Sequence, residues 1–371
     1  MRQSSRLRRS PYVVCYWDGP QLVVHNYLTC VRLTASPFTV VLLSLLSTPI
    51  HAADIPQLLP QFSRRSVLRT IQQLVSLTLV EEISPAQQQR DKAMRLWSNW
   101  GIDAQFFHWA TKDVRYVKNA QELGRLERRL VAECPQPPLF KRYPRARQIA
   151  LPDGPMGRAA PLATVLRARR THRYFSPTPL DLSDLATVLK LTWGVSAYLD
   201  LPLMGRIPLK TSPSGGARHP IEVYVATFRV KGLGPGLYHY RADCHRLELV
   251  RSGSLESRAE VYCGNQWWTG TAAALFFMTA VFERTMWRYT SSRALRVIYL
   301  EAGHLCQTFC LVATALGLAP FCTAALSDSA IERDLGLDGI RESALYVAGV
   351  GHPLSNPPRA RLITADLIHA I

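Results

Sequence analysis

Three stretches, 221–228, 275–281 and 344–350, are apolar at both odd and even positions, Glu222 and Thr227 being the main exceptions in the first. Successive strand residues point to opposite faces, so a strand apolar on both must be covered on both. These runs therefore belong inside a sheet with further layers on either side. Helical spacing supplies those layers. Leu305, Phe309, Val312 and Leu316 recur at intervals of 4, 3 and 4 along a helix that Gly317 can terminate. Leu182, Leu185, Ala186 and Leu189 repeat the pattern earlier in the chain.

Seven prolines between residues 134 and 161, with the basic run KRYPRAR, mark an extended connector between two domains in the 371-residue chain. Before it, Tyr12–Trp17 and Gln21–Leu28 flank Asp18-Gly19-Pro20 as a hairpin. Ser36-Pro37 opens an apolar helix over 37–50, a second helix is expected over 53–62, and Ser63 caps a third with Val67, Ile71, Leu74 and Val75 on one face. Leu77–Ile83 reads as a returning strand, which makes 1–84 a winged-helix-like module. Residues 85–160 form a helical and connecting region, and 161–371 the larger domain. The apolar run 37–50 is shorter than the ~20 residues of a spanning helix, and the stretch before it is too long for an ordinary signal peptide. No membrane association is expected.

The net charge is +17, and residues 1–150 carry 21 Lys+Arg against 10 Asp+Glu, or +11 of it. That region would attract an acidic partner, whether peptide or nucleic acid. Eight cysteines stand at 15, 30, 134, 244, 263, 306, 310 and 322 with no C-x-x-C pair. They read as free thiols in a reducing cytoplasm, and no metal is expected.

Three segments carry candidate chemistry. In Arg169-Arg170-Thr171-His172-Arg173, guanidinium groups and a hydroxyl suit a phosphate. In Ser212-Pro213-Ser214-Gly215-Gly216, paired glycines let the backbone approach a flat heterocycle or its ribityl chain. Arg359-Ala360-Arg361, near the C-terminus, puts two guanidiniums on one side of an extended stretch that can complete a phosphate site.

In order and spacing, RRTHRYF, SPSGGARHPIEVYV, GLYHY, LEAGHLCQTFCLVATALGL and VAGVGHP…PRARL resemble the SagB-type branch of the nitroreductase superfamily over roughly 160–365. HNYLT and FHWATKDVRYV further resemble a subgroup of peptide maturation dehydrogenases. The resemblance implies an α+β, nitroreductase-like fold with a mixed sheet flanked by helices, an obligate homodimer, and FMN at its interface. It also implies oxidation of azoline rings to azoles in a ribosomally made peptide, beside cyclodehydratase partner proteins. Carried onto this chain, Arg169, Thr171, Arg173, Arg359 and Arg361 would hold the phosphate. Ser214, Gly215 and Gly216 would line the ribityl chain and ring, and a backbone donor to the flavin would fall at Ala324-Ala325, where glycine is more usual.

One departure bears on the chemistry. Azoline oxidases of this branch carry a Lys-Tyr pair before the long helix; here Arg288-Tyr289 stands there. Arginine stays protonated and cannot act as a base, so proton removal falls to Tyr289, a water or a histidine. Three other functions fit the same residues. One is an NAD(P)H-dependent nitroreductase or quinone reductase, and another an inactive flavin scaffold. The last is a ligand-sensing regulator that meets DNA through Arg64, Arg65 and Arg69 at the start of the third helix, a role less expected than peptide binding.

Overall fold

The structure, a computed structural model, describes residues 5–154 and 160–357. Two compact units divide the chain near Arg115.

The first unit runs β1 (Arg6–Arg9), β2 (Val13–Asp18), β3 (Gln21–Asn26), β4 (Val31–Thr34), α1 (Pro37–Leu45), β5 (Ile50–His51), α2 (Arg64–Ser76), β6 (Val80–Glu82), α3 (Pro85–Met94) and α4 (Gly101–Ala110). The capping expected from sequence is present: Ser36 accepts from the Thr39 N–H and Ser63 from the Ser66 N–H. Val67, Ile71 and Leu74 of α2 pack with Leu7, Leu42 and Leu43 into a core of this unit's own. Three elements differ from expectation. The apolar helix stops at Leu45, the helix expected over 53–62 is a 3-10 turn at Ile55–Leu58, and the hairpin gains a third strand. The meander β2-β3-β4 forms a sheet separate from β5-β1-β6, so the element order is richer than a winged helix requires. Residues 85–115 also belong here. Asp91 of α3 bonds to Tyr12 at 2.5 Å and to Arg8, and Phe106 of α4 packs edge-on against His25 at 5.3 Å.

The second unit runs α5 (Ala120–Glu133), β7 (Gln148–Ala150), α6 (Leu162–Ala168), α7 (Leu182–Trp193), β8 (Val195–Leu201), β9 (Gly205–Lys210), β10 (Ile221–Thr227), β11 (Gly236–Arg241), β12 (Arg246–Ser252), α8 (Ala259–Tyr262), β13 (Ala274–Val281), α9 (Phe282–Met286), α10 (Ala294–Ala315), β14 (Ala319–Thr323), α11 (Asp328–Leu335) and β15 (Glu342–Gly351). Seven strands make one sheet in the order β14-β15-β13-β10-β11-β12-β7. The three runs apolar on both faces are adjacent at its centre. Val223, Val225, Phe276 and Met278 face α7 and α10, while Tyr224, Ala226, Leu275 and Phe277 face α8 and α11. Trp193 of α7 stacks on Phe276 at 5.8 Å, and Phe309 of α10 meets the same ring at 4.8 Å.

The sheet is not mixed as expected: each of its described pairings is antiparallel. Hairpins join β10, β11 and β12; the helical passage after β13 carries the chain to β14 at the sheet edge, running the same way as β13, and β15 then returns between the two, antiparallel to both. The proline-rich stretch is no free connector either. It supplies β7, which pairs with β12, and Lys141 and Tyr143 bond into the buried polar groups of the sheet. Prolines tolerate this route because an extended chain on a sheet edge leaves few N–H groups to be paired.

Those groups form a chain across the strands. His239 on β11 lies between Glu248 on β12, at 3.0 Å, and Glu222 on β10, at 3.1 Å. Arg284 of α9 joins Glu222 at 2.5 Å. Lys141 and Thr279 both reach Glu342 of β15, at 2.5 Å and 2.6 Å. Burial opposes charge on Glu222 and Glu248, but Arg284 and His239 on the first and His239 on the second hold both below the usual carboxylate range. Burial likewise opposes the His239 cation, and its two carboxylates more than offset that and raise it.

Candidate functional site

The Ser214-Gly215-Gly216 segment leads into β10 through a contorted turn. Gly216 has φ +61°, and Ala217 and His219 also take positive φ, at 52° and 45°. Positive φ costs non-glycine residues energy and persists only where surroundings fix it, which is common at functional sites. Here the surroundings are Ser214, whose hydroxyl accepts from the His219 N–H at 2.8 Å, and Arg284, which donates to the His219 carbonyl at 3.1 Å.

The glycines are required by what lies over them. A Cβ on Gly216 would fall 2.5 Å from the Tyr289 hydroxyl and 2.9 Å from Arg288 Cδ. One on Gly215 would fall 2.7 Å from Val297 of α10. The structure thus brings Arg288 and Tyr289 together with Gly215 and Gly216, four expected site residues from two distant segments. Tyr289 is 37% exposed and can be approached from solvent. Arg288 is half-buried, held by Glu127 of α5 at 2.7 Å and by the Met204 sulfur at 2.9 Å. Beside the turn is a cavity of about 350 Å3, lined by Glu127, Leu201, Pro202, Met204, Gly216 and Arg288 among others. A larger cavity, about 750 Å3, lies between 138–142 and 336–342, and no expected site residue lines it.

Sequence reasoning missed Glu301. It is 3% exposed on α10 and faces the Ser214 hydroxyl and the Gly215 N–H. Burial pushes its carboxyl up to about 7, although Ser214, Lys210, Arg284 and Gly215 all pull the other way. His219 lies 3.8 Å from it, but burial first, then Lys210, depresses that imidazole to about 3, so the neighbour is neutral. Glu301 therefore exchanges its proton near neutrality, directly behind the glycine turn. The signal was legible: Ile298, Glu301, Ala302 and Leu305 share the buried stripe of α10, and a carboxylate in such a stripe is rare unless it serves something. Glu127 gave no comparable signal, because its role depends on where α5 packs.

The arginine segment lies elsewhere, along the edge strand β14. The His172 N–H donates to the Pro320 carbonyl at 3.0 Å and the Ser176 N–H to that of His352 at 2.9 Å. Between these anchors Thr171 and Arg173 are exposed while His172 and Tyr174 are half-buried, the two-residue alternation of an extended chain. Arg173 covers the Trp268 ring at 5.1 Å. Arg169 is half-buried at the end of α6, with its charge felt at Cys310 and Cys322. Among the described residues no carboxylate pairs with Arg169 or Arg173, so this donor set fits a phosphate. The Ala325 N–H, expected to face the cofactor, donates to Thr323 Oγ1 at 3.1 Å, which also accepts from Gln266 at 2.9 Å. Arg359 and Arg361 lie outside the described residues.

The arginine segment and the glycine turn meet α10 far apart, Cys310 beside the first and Val297 against the second. At 1.5 Å per residue that separation is roughly 20 Å along the helix axis.

Comparison with known proteins gives this architecture a family. Residues 166–352 match the model of the Nitroreductase family. The chain is 30% identical over 193 residues to the Methanocaldococcus jannaschii protein MJ1384, named as a nitroreductase, covering 52% of this chain and 91% of that one. It is 32% identical over 173 residues to the trifolitoxin-processing protein TfxB of Rhizobium leguminosarum bv. trifolii, where the match spans 46% of each chain. A crystal structure of an Anabaena variabilis protein, also named as a nitroreductase, superposes with a TM-score of 0.50 at 22% identity, covering 66% of this chain and 49% of that one. The chain belongs to the nitroreductase family and, by the motifs gathered around its glycine turn and long helix together with its likeness to TfxB, to the SagB-type branch within it.

Proposed function

We propose that this protein is an FMN-dependent dehydrogenase that oxidises azoline rings to azoles in a ribosomally made peptide during its maturation. The observation that carries this reading is the likeness to TfxB, a protein named for processing a peptide toxin. The match spans less than half of TfxB, so peptide processing comes to this chain as part of the proposal. FMN, when bound, supplies the hydride acceptor and is reoxidised by oxygen. Arg169, Thr171 and Arg173 would hold its phosphate, with Arg359 and Arg361, and Ser214, Gly215 and Gly216 its ribityl chain and ring.

Converting an azoline to an azole removes a hydride and a proton, so the chain must provide a proton acceptor within hydrogen-bond reach. Arg288 cannot be that acceptor. Fixed by Glu127, it can stabilise negative charge developing on the substrate beside it. Tyr289, exposed over the glycine turn, is the group that meets the substrate and would accept the proton as its phenolate. Glu301 behind the turn, bonded to Ser214 and to the Gly215 N–H, is a second group that can hold a proton near the site. The roughly 20 Å between the two cofactor-binding segments is the reason to propose a homodimer, in which one copy's arginines face its partner's glycine turn. Eight free thiols suit a cytoplasmic setting.

The test is single-turnover flavin reduction by an azoline-containing peptide. Tyr289→Phe should slow it by ~10²–10⁴-fold with FMN still bound, and Arg288→Lys should keep substantial activity. Wild-type rates in Tyr289→Phe would remove that assignment. Flavin reduction by NADPH with nitroaromatic turnover, and none by any azoline peptide, would instead make the protein a nitroreductase in activity as well as in fold.

A further inference from the structure

Cys306 and Cys310 are one helical turn apart on α10, so their side chains leave the same face. Cys322 comes from β14, which packs against that face, and the three sulfur atoms lie within 4.8 Å of one another. Cys306 and Cys310 are 2% and 4% exposed, and Cys322 is half-buried at the rim. No disulfide joins any pair. Two further groups border the sulfurs: the Tyr346 hydroxyl donates to the Cys322 sulfur at 3.4 Å, and the charge of Arg169 is felt at Cys310 and Cys322.

We propose that Cys306, Cys310 and Cys322 bind a thiophilic d10 cation, Zn2+ in the first place, that ties α10 to β14 behind Arg169. Soft thiolates select such ions. With Zn–S bonds of about 2.3 Å, tetrahedral geometry puts neighbouring sulfurs roughly 3.8 Å apart, so the trio needs to close by no more than about 1 Å. Three thiolates around a divalent ion leave one negative charge, in a place where the positive charge of Arg169 is felt. Three protein ligands leave a fourth position, and Cys322 at the rim puts it on the side a water can reach. The Tyr346 hydrogen bond is the kind of outer contact that orients a ligating sulfur. Spacing alone gives no motif here, because the third ligand follows 12 residues after the second and on a different element.

The proposal does not depend on the flavin chemistry, and its test reads metal directly. Full-length protein, reduced and stripped with a chelator, is titrated with Zn2+ alone and, anaerobically, with Cu+ alone, and bound metal is counted by elemental analysis after desalting. Cobalt(II), as a spectroscopic stand-in, should give thiolate-to-metal charge-transfer bands. The expected result is one equivalent of Zn2+ per chain, resistant to desalting, with a raised melting temperature. Uptake should be lost in Cys306→Ser and in Cys322→Ser and retained in Cys244→Ser, whose thiol is exposed elsewhere. Cys322→Ser changes a half-buried position, and its circular dichroism shows whether the fold survives. One equivalent of Cu+ taken up in preference to Zn2+ would support the site and fix its ion. Reduced wild-type protein that retains neither metal would overturn it, as would folded Cys306→Ser or Cys322→Ser binding as much as wild type.

Discussion

The glycine turn and the Glu301 carboxyl behind it form one site, which the sequence announced plainly through the glycines and only faintly through the glutamate. The Gly-Gly pair announced a close approach, but the groups that approach it are Tyr289, Arg288 and Val297 of the chain itself. Glu301 was visible only as a charge in an apolar stripe, and its chemistry follows from burial that only packing decides. That burial raises its carboxyl from the model-compound value of 4.5 to about 7. The native state therefore keeps a proton that the unfolded chain releases. This costs stability as pH rises from about 4.5, and the full cost is reached above about 7. Relative to a neutral variant the loss should reach up to about 3 kcal/mol. Glu301→Gln should remove this slope, so chemical denaturation at several pH values should find wild type losing ground to the variant between about pH 4.5 and 7. Parallel pH curves would mean that Glu301 is not desolvated as the structure has it.

At the level of elements, β10, β13, β15 and α10 could be read directly, because burial on both faces and 3.6-residue spacing leave a local imprint. The segment 134–150 could not. Its prolines are compatible with either a free linker or an edge, and its place was set by the buried Glu222, Glu248 and Glu342 that Lys141 and Tyr143 satisfy. His239 lies at the centre of that network, between two carboxylates and fully buried. Its raised midpoint contributes stability that is fully present below the unfolded imidazole's value and is lost as pH rises through the folded one. The depressed Glu222 and Glu248 contribute stability that is present above the ordinary carboxylate range and is lost on acidification through their folded values. His239→Leu should take a charged partner from two buried carboxylates, which keep Arg284 and Arg241, and cost up to roughly 3–5 kcal/mol. Measured by urea unfolding, the loss should be greatest between those limits and shrink at alkaline pH, where wild type has lost the cation too. A loss below 1 kcal/mol throughout would mean that the carboxylates are satisfied without it.

Over the whole molecule, the first unit, which has its own core, carries 13 Lys+Arg against 7 Asp+Glu, or about half of the excess positive charge of residues 1–150. There Arg64, Arg65 and Arg69 stand exposed at the start of α2. If that surface holds the leader of a precursor peptide, reversing Arg64 and Arg65 to Glu in the full-length protein should weaken binding of an acidic leader at least tenfold. The wild-type affinity should also fall as salt rises. Unchanged leader binding, with tight duplex DNA binding in wild type that the same variant abolishes, would assign the unit to nucleic acid. The sequence by itself determined the buried strands, the long helix, the capped starts of α1 and α2 and the segments that carry the family likeness, because each depends on residues near one another in the chain. Only the tertiary structure decided that Arg288 and Tyr289 lie on the glycine turn, that Glu301 is held close to neutrality, and that three cysteines from a helix and a strand converge. Those depend on distance in space and on exclusion of water, which residue spacing does not encode.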